Sequence, residues 1–505
     1  MEFSEYRGKD AVALAEACAA GETTAEALLG LAQARLAEVN PQINAVCIDM
    51  EAIARRRLAE PLVGPFAGVP FLIKDIIQDH AGVPTTCGSR ALRSQVPEQH
   101  SDYARRVLDA GMVVFGKTTT PELGLKAVTE SRLWGATRNP WNPEHTPGGS
   151  SGGAAAAVAA GVVPMAGAND GGGSIRIPAS HCGLFGLRPS RGRVPVTPAE
   201  GEHWHGASSD GVISRSVRDS ARMLDVLAGP GRAAPYHVAP PAEPFEALAK
   251  QAPGRLRIGW SARSPIGADV DPECVRAVES TVQLLGSLGH EIIEAEPAID
   301  GMLVARAYLG LYFGQVAAVV DTAVAAGARK RDFEPDTRTL AAIGRAVSAG
   351  EYVALQNRWQ EIAAAHADFF DDFDFWLTPT VAATPVRIGA LDPPPALALL
   401  QKALLGLPGS GRVLKSGGFV DRLIFEALAK TPFTQAANLS GLPAMSVPLH
   451  WTAEGLPVGT HFTGPWGSEG ALLALATQLE AARPWFNHLP PEARIAQTGA
   501  DSAKR

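Results

Sequence analysis

The sequence predicts a large α/β protein, and three observations carry that expectation. Short apolar runs of the kind that form buried strands alternate with stretches whose apolar residues recur at helical spacing. Apolar residues make up 46% of the 505 and charged residues 19%, enough for a large core and no basis for global disorder. The 52 glycines and 39 prolines are many for a helical bundle and few for a disordered chain, so numerous turns and close backbone contacts are expected. At roughly 150 residues per domain, length alone suggests about three domains.

Residues 10–40 read as two helices, AVALAEACAA and AEALLGLAQARLAEVN, with Gly21 as a stop and Thr23 and Thr24 supplying a new cap. GVPFLIKDII (68–77) reads as a buried strand ending in polar residues. A helix follows near residues 102–110, and MVVFGKT (112–118) has the apolar run of a central strand. The most unusual stretch is TPGGSSGGAAAAVAAGVVPMAGANDGGGSIRIPASHCGLFGLRPS (146–190). There Ser150 or Ser151 caps a helix through Ala160, Gly161 stops it, and VVPMAGA is a second buried run leading into the loop NDGGGS. A helix made almost wholly of alanine has little side chain to bury, so its backbone must approach its neighbours closely.

Residues 233–253 are Pro-rich and read as a surface connection. LRIGW (256–260) restarts a strand, followed by a helix (272–288), the strand EIIEAEP and a mainly helical stretch from Met302 to Trp359. DPPPALALLQKALLGLPGSGRVLKSGG (392–418) is turn-rich at both ends, either a surface excursion or a lid. Two strands, in NLSGLPAMSVPL and GLPVGTHFTG, and the helix SEGALLALATQLE come last.

The net charge of −7 argues against a nucleic-acid partner, because phosphate neutralisation needs a basic footprint. Cys18, Cys47, Cys87, Cys182 and Cys274 are widely spaced, with no CxxC and no zinc spacing, as expected for reduced thiols in the cytoplasm. MEFSEYRGKD lacks the basic and apolar regions of a secretory signal. Residues 146–169 carry no charge, but glycine, alanine and Pro164 dominate them, so they are read as buried in protein and not as a membrane span.

A nucleophilic serine needs a base and donors for the oxyanion that forms. Asp170-Gly171-Gly172-Gly173-Ser174 supplies a backbone able to aim several N–H groups at one point. A phosphate loop is excluded, since no lysine follows these glycines, and no GxSxG elbow surrounds Ser174. His181 and His203 are near in sequence, but the base need not be histidine.

The combined pattern is more specific. GGSSGG, the step from Ser150 to Ser174, Ser-Ile-Arg-Ile-Pro and Asp170 resemble the amidase signature over Gly148–Ala179. GPFAGVPFLIKDI, GKTTTPELG, WGATRNPWN, SRSVRDSARMLDVLAG, NLSGLPAMSVP and GLPVGTHFTG look like further blocks of that family in order, covering about residues 5 to 485. The resemblance implies an α/β/α sandwich with a mixed central β-sheet covered by helices. It further implies one domain over 1–505, with a signature core at about 68–220 and excursions at about 302–359 and 392–418.

Carried onto this chain, the resemblance implies that Ser174 is the acyl-forming nucleophile, Ser150 the bridging serine after a cis Gly149–Ser150 bond, and Lys74 the terminal base. Gly171, Gly172, Gly173 and Ser174 form the oxyanion hole, and Ser151, Asp170 and Arg176 support the loop. Lys74 must then be neutral, its pKa falling from roughly 10.4 toward 7, which burial beside Phe71, Leu72 and Ile73 supplies. The family usually has Thr where this chain has Gly171, a departure that alters side-chain contacts while the backbone role stays. No metal and no cofactor is implied.

Within the family, SSGGAAAAVAAG, ASHCGLFGLRPSRGR and PIGADVDPECVRAVESTVQLLGSLGHE look most similar to the 6-aminohexanoate cyclic dimer hydrolases, which open cyclic amides. The expected partner is a small amide substrate, with no nucleic acid and no membrane, and a homodimer is compatible with this reading. Aryl amides, esters and carbamates (urethanes) are alternative substrates, and the A subunit of a glutamyl-tRNA amidotransferase is an alternative identity. An inactive binding protein is disfavoured by the intact Lys74, Ser150 and Ser174. Tyr308, Tyr312, Phe313 and Trp359 fit either an apolar pocket or the core.

Overall fold

The computed structural model describes residues 1–198, 201–231, 233–394, 399, 401, 403, 405, 407, 409–415 and 418–492. Its strands are β1 (Val46–Asp49), β2 (Pro70–Lys74), β3 (Val113–Thr118), β4 (Glu130–Ser131), β5 (Gly135–Ala136), β6 (Met165–Asp170) and β7 (Phe185–Arg188). They continue as β8 (Ser209–Ser214), β9 (Arg257–Trp260), β10 (Glu291–Glu294), β11 (Phe375–Pro379), β12 (Ala444–Trp451) and β13 (Pro457–Thr463). Eight form the main sheet in the order β10-β9-β11-β13-β12-β7-β8-β6. It is mixed: β10, β9 and β11 run parallel, and the remaining pairs are antiparallel. Helices Gly152–Ala159, Arg176–Cys182, Val217–Leu227, Pro272–Ser287 and Glu469–Ala482 cover this sheet.

PFLIK and VVFGKT form the expected strands, but in a separate three-stranded sheet, β1-β3-β2, where β3 is central. β2 and β6 are the neighbouring edges of the two sheets, and the side chain of Gln78 fills the gap. It accepts from Lys74 N–H at 2.8 Å and donates to the Ala168 carbonyl at 3.0 Å. A side-chain amide thus pairs strand-edge groups that would be costly to bury unmatched. Through it, Lys74 is fixed against the strand that leads to Ser174.

The alanine-rich helix Gly152–Ala159 is wholly buried. A Cβ on Gly153 would meet Thr119 N at 2.5 Å and Ala45 O at 2.6 Å, so only glycine permits this approach to β3. Ser151 occupies the N-cap position without bonding the helix through its side chain. Its hydroxyl is instead exchanged with the backbone of Asn169. Thr24 does cap the helix Ala25–Ile43, accepting from Ala27 N–H.

Two expectations are modified. The Pro-rich stretch 233–253 contains a docked helix, Phe245–Ala249, whose first amides donate to Asp225 and whose Phe245 is buried under Arg193. Much of 392–418, including the lid reading, lies outside the described residues, although Ser410–Lys415 is helical. The expected helical region is present as Gly301–Ala325, Pro335–Ala346, Ala349–Asn357 and Trp359–Phe370. Gly301–Ala325 is long and apolar enough to cross a membrane, yet most of it is buried within the protein. It centres a second apolar cluster, containing Ala207, Tyr308, Tyr312 and Leu428, in which Tyr308 lies against Gly172, two residues beyond β6. The main cluster runs from Tyr6 to Trp485.

Candidate active site

Lys74 is fully buried at the end of β2. Its Nζ lies 2.7 Å from Ser150 Oγ and 2.7 Å from Asn169 Oδ1. Burial lowers its pKa to about 7 against the upward pull of the Asp210 and Asp170 carboxylates. At neutral pH much of this amine is therefore unprotonated, with one lone pair to accept a proton and two N–H groups to orient it. Asn169 is itself held, its Nδ2 donating to the Ile76 carbonyl at 3.3 Å. Asp210, buried beside Gln78, is pushed up to about 6 by desolvation.

Ser150 follows a cis Gly149–Ser150 peptide bond. Thr129 fixes the segment by donating to Gly148 O at 2.8 Å and accepting from Gly152 N at 3.1 Å. The Ser151 N–H donates to Ser174 O at 3.3 Å, which joins the two serine segments. Every residue from Thr146 to Ser190 is buried except Ser174. That serine lines a cavity of about 50 Å³ walled by Leu125, Tyr308, Leu309, Tyr312 and Leu428. A larger cavity of about 980 Å³ does not include Ser174 but shares Leu125 with the small one.

The glycine loop is shaped by Asp170 and Arg176, both fully buried. Asp170 accepts from Gly173 N–H at 2.7 Å, Ile175 N–H at 3.1 Å and two nitrogens of Arg176 at 2.8 and 2.9 Å. Arg176 also donates to Thr434 O and Asn438 Oδ1. Burial pushes the Asp170 pKa up, but the Arg176 charge and these hydrogen bonds outweigh it and hold the carboxyl well below its usual range. The structure corrects one expectation: the Gly173 N–H is committed to Asp170, leaving Gly171, Gly172 and Ser174 as the candidate oxyanion donors. Asp170→Asn strands the buried guanidinium and is expected to cost about 3–5 kcal/mol. Urea denaturation measures that loss.

The family model for amidases matches residues 27–409. This chain belongs to the amidase family. The amidase is 35% identical over 508 residues to a 6-aminohexanoate-cyclic-dimer hydrolase of Pseudomonas sp. (strain NK87), covering 95% of this chain and 96% of that one. Among solved structures, a 6-aminohexanoate cyclic dimer hydrolase complexed with substrate superposes with a TM-score of 0.85 at 32% identity, covering 97% and 99% of the two chains. A bacterial aryl acylamidase superposes with a TM-score of 0.82 at 26% identity, covering 97% and 98%. Membership makes the chain a hydrolase of amide C–N bonds.

In this amidase the sequence-marked Lys74, Ser150, Ser151, Asp170, Arg176 and Ser174 all converge. Asn169 and Gln78 were not foreseen, although Asn169 stands one residue from Asp170 in the marked loop. His181 is buried behind Gly148, and burial holds its pKa at about 4. Lys74 hydrogen-bonds to Ser150 and Asn169, not to a histidine. Of the four aromatic candidates, Tyr308 and Tyr312 wall the Ser174 pocket. Phe313 is buried in the helical cluster, and Trp359 lies under the Arg191 guanidinium. Among the described residues, no three His, Cys, Asp or Glu side chains cluster closely enough to hold a metal ion.

Proposed function

We propose that this amidase cleaves carboxylic amides through an acyl-enzyme on Ser174, with Ser150 as relay and Lys74 as base. The observation that carries the reading is the buried Lys74 Nζ 2.7 Å from Ser150 Oγ, behind the one incompletely buried serine of the loop. Neutral Lys74 accepts the Ser150 proton while Ser150 accepts that of Ser174, and Ser174 Oγ attacks the carbonyl carbon. N–H groups of Gly171, Gly172 and Ser174 hold the oxyanion. As the C–N bond breaks, the proton returns through Ser150 to the leaving nitrogen. Water then attacks the ester carbon, its proton passing through Ser150 to Lys74; the bond to Ser174 Oγ breaks, the carboxylic acid leaves, and the proton returns through Ser150 to Ser174.

The proposed substrates are cyclic or linear oligoamides of the 6-aminohexanoate type. Support comes from the 35% identical hydrolase and from Leu125, Leu309 and Leu428 in the pocket wall, apolar side chains against which a polymethylene chain can pack. A second reading, an aryl amide, is favoured by the aryl acylamidase likeness and by the tyrosine walls. The purified chain, offered 6-aminohexanoate oligomers, anilides, esters and carbamates, is expected to release amine from an amide without a partner protein. Turnover only of glutamine, and only with further subunits and tRNA, would overturn this in favour of an amidotransferase subunit.

A further inference from the structure

The cavity at Ser174, about 50 Å³, is far smaller than its neighbour. The neighbouring cavity of about 980 Å³ has the size of a ligand site. What stands between them is built from Leu125, which lines both, and from the contact of Trp204 with Tyr312. Trp204 lines the large cavity and Tyr312 the small one, their rings 4.7 Å apart at 61°.

Trp204 is held there by an unusual backbone. Trp204 and His205 both have φ of 52°, a left-handed conformation that a bulky residue rarely adopts. The Gly206 and Ala207 amides close the turn onto His203 and Trp204 carbonyls. His205 Nε2 lies 2.9 Å from the Tyr352 hydroxyl, and Arg191 donates to Gly206 O at 3.0 Å. The indole is thereby laid on Gly171. A Cβ at that position would lie 2.9 Å from Trp204 Cζ3 and 3.0 Å from Cε3, tighter than a real Cβ sits. The glycine that replaces the family's usual threonine thus makes room for this ring.

Taking Ser174 as the acylated residue, as proposed above, we infer that Trp204 is a specificity-determining partition between the Ser174 pocket and the large cavity, and that Gly171 admits it. The substrate is then an extended amide, one limb of which passes Trp204 to occupy the larger space. The ring sets how long or bulky that limb is.

The test compares kcat/KM across two series of simple amides, one lengthening the acyl chain and one the amine, in wild type, Trp204→Ala, Trp204→Phe, Gly171→Thr and the Gly171→Thr/Trp204→Ala pair. In at least one series Trp204→Ala shifts the long-to-short ratio about tenfold or more, the scale of discrimination that pocket walls supply. Trp204→Phe, which keeps a ring, shifts it less. Gly171→Thr displaces the indole and moves the ratio in the direction of Trp204→Ala, with no added effect in the pair. Ratios unmoved in both series, equal loss for every substrate, or full additivity of the two substitutions would overturn the partition. The same ratios read as dissociation constants in the Ser174→Ala background separate it from the mechanism. Shifted constants without acylation at Ser174 refute the mechanism alone, whereas normal acylation with unmoved ratios refutes the partition alone.

Discussion

Replacing Ser174 with alanine lowers kcat/KM for an amide by roughly 10⁴- to 10⁶-fold, the scale on which loss of a serine nucleophile acts. The expectation rests on position. Ser174 follows the glycine loop, is the one incompletely buried residue between Thr146 and Ser190, and lines the pocket. Its hydroxyl is not part of the Lys74, Ser150 and Asn169 hydrogen-bond set, so that set survives the substitution. The variant therefore folds with stability within about 0.5 kcal/mol of wild type, as expected for removing an atom outside a buried network. Steady-state kinetics with urea denaturation reads both quantities. Activity within tenfold of wild type would move the nucleophile elsewhere.

Lys74→Met is expected to lower kcat/KM by about 10²- to 10⁴-fold at neutral pH, the contribution of a positioned base. It also removes an inflection from the pH profile. The sign follows from burial: desolvation disfavours the ammonium, the pKa falls to about 7, and the neutral amine is the form that accepts a proton. Wild-type kcat/KM therefore rises as pH increases through about 7 and levels above it, with roughly a tenth of the plateau one pH unit below. Methionine fills a similar volume without a titrating group, so its residual rate lacks this limb. A flat wild-type profile between about pH 5.5 and 8.5, or the same inflection in Lys74→Met, would remove Lys74 from the reaction.

Much of this site is legible in the sequence because its chemistry is written in short local patterns. Lys74 ends an apolar run, and Ser150, Asp170, Ser174 and Arg176 fall within one glycine- and alanine-rich stretch. The strands carrying them are marked by the same apolar runs, and the cap of the helix Ala25–Ile43 by Thr24. What sequence spacing does not carry is pairing across the chain. The Gln78 bridge depends on two sheet edges meeting, which β2 and β6 do not announce. Asn169 becomes the second partner of Lys74 only once those edges are side by side. The oxyanion loop behaves alike: in sequence its four residues are equivalent, and only the fold gives the Gly173 amide to the Asp170 carboxylate. Trp204 was likewise silent, since its importance lies in a left-handed backbone and in the contact with Gly171. Glycine in place of threonine at position 171 is plain in the sequence, but its physical reason lies 33 residues further along the chain.

Rapid quenching of the wild-type chain with an activated aryl ester, whose good leaving group makes hydrolysis of the acyl-enzyme the slow step, followed by peptide mass spectrometry, measures the covalent intermediate itself. The mechanism predicts a single acyl group on the peptide containing Ser174, accumulating before steady state and missing in Ser174→Ala. An acyl group on a different residue, or full turnover with no acylated peptide at any quench time, would contradict it.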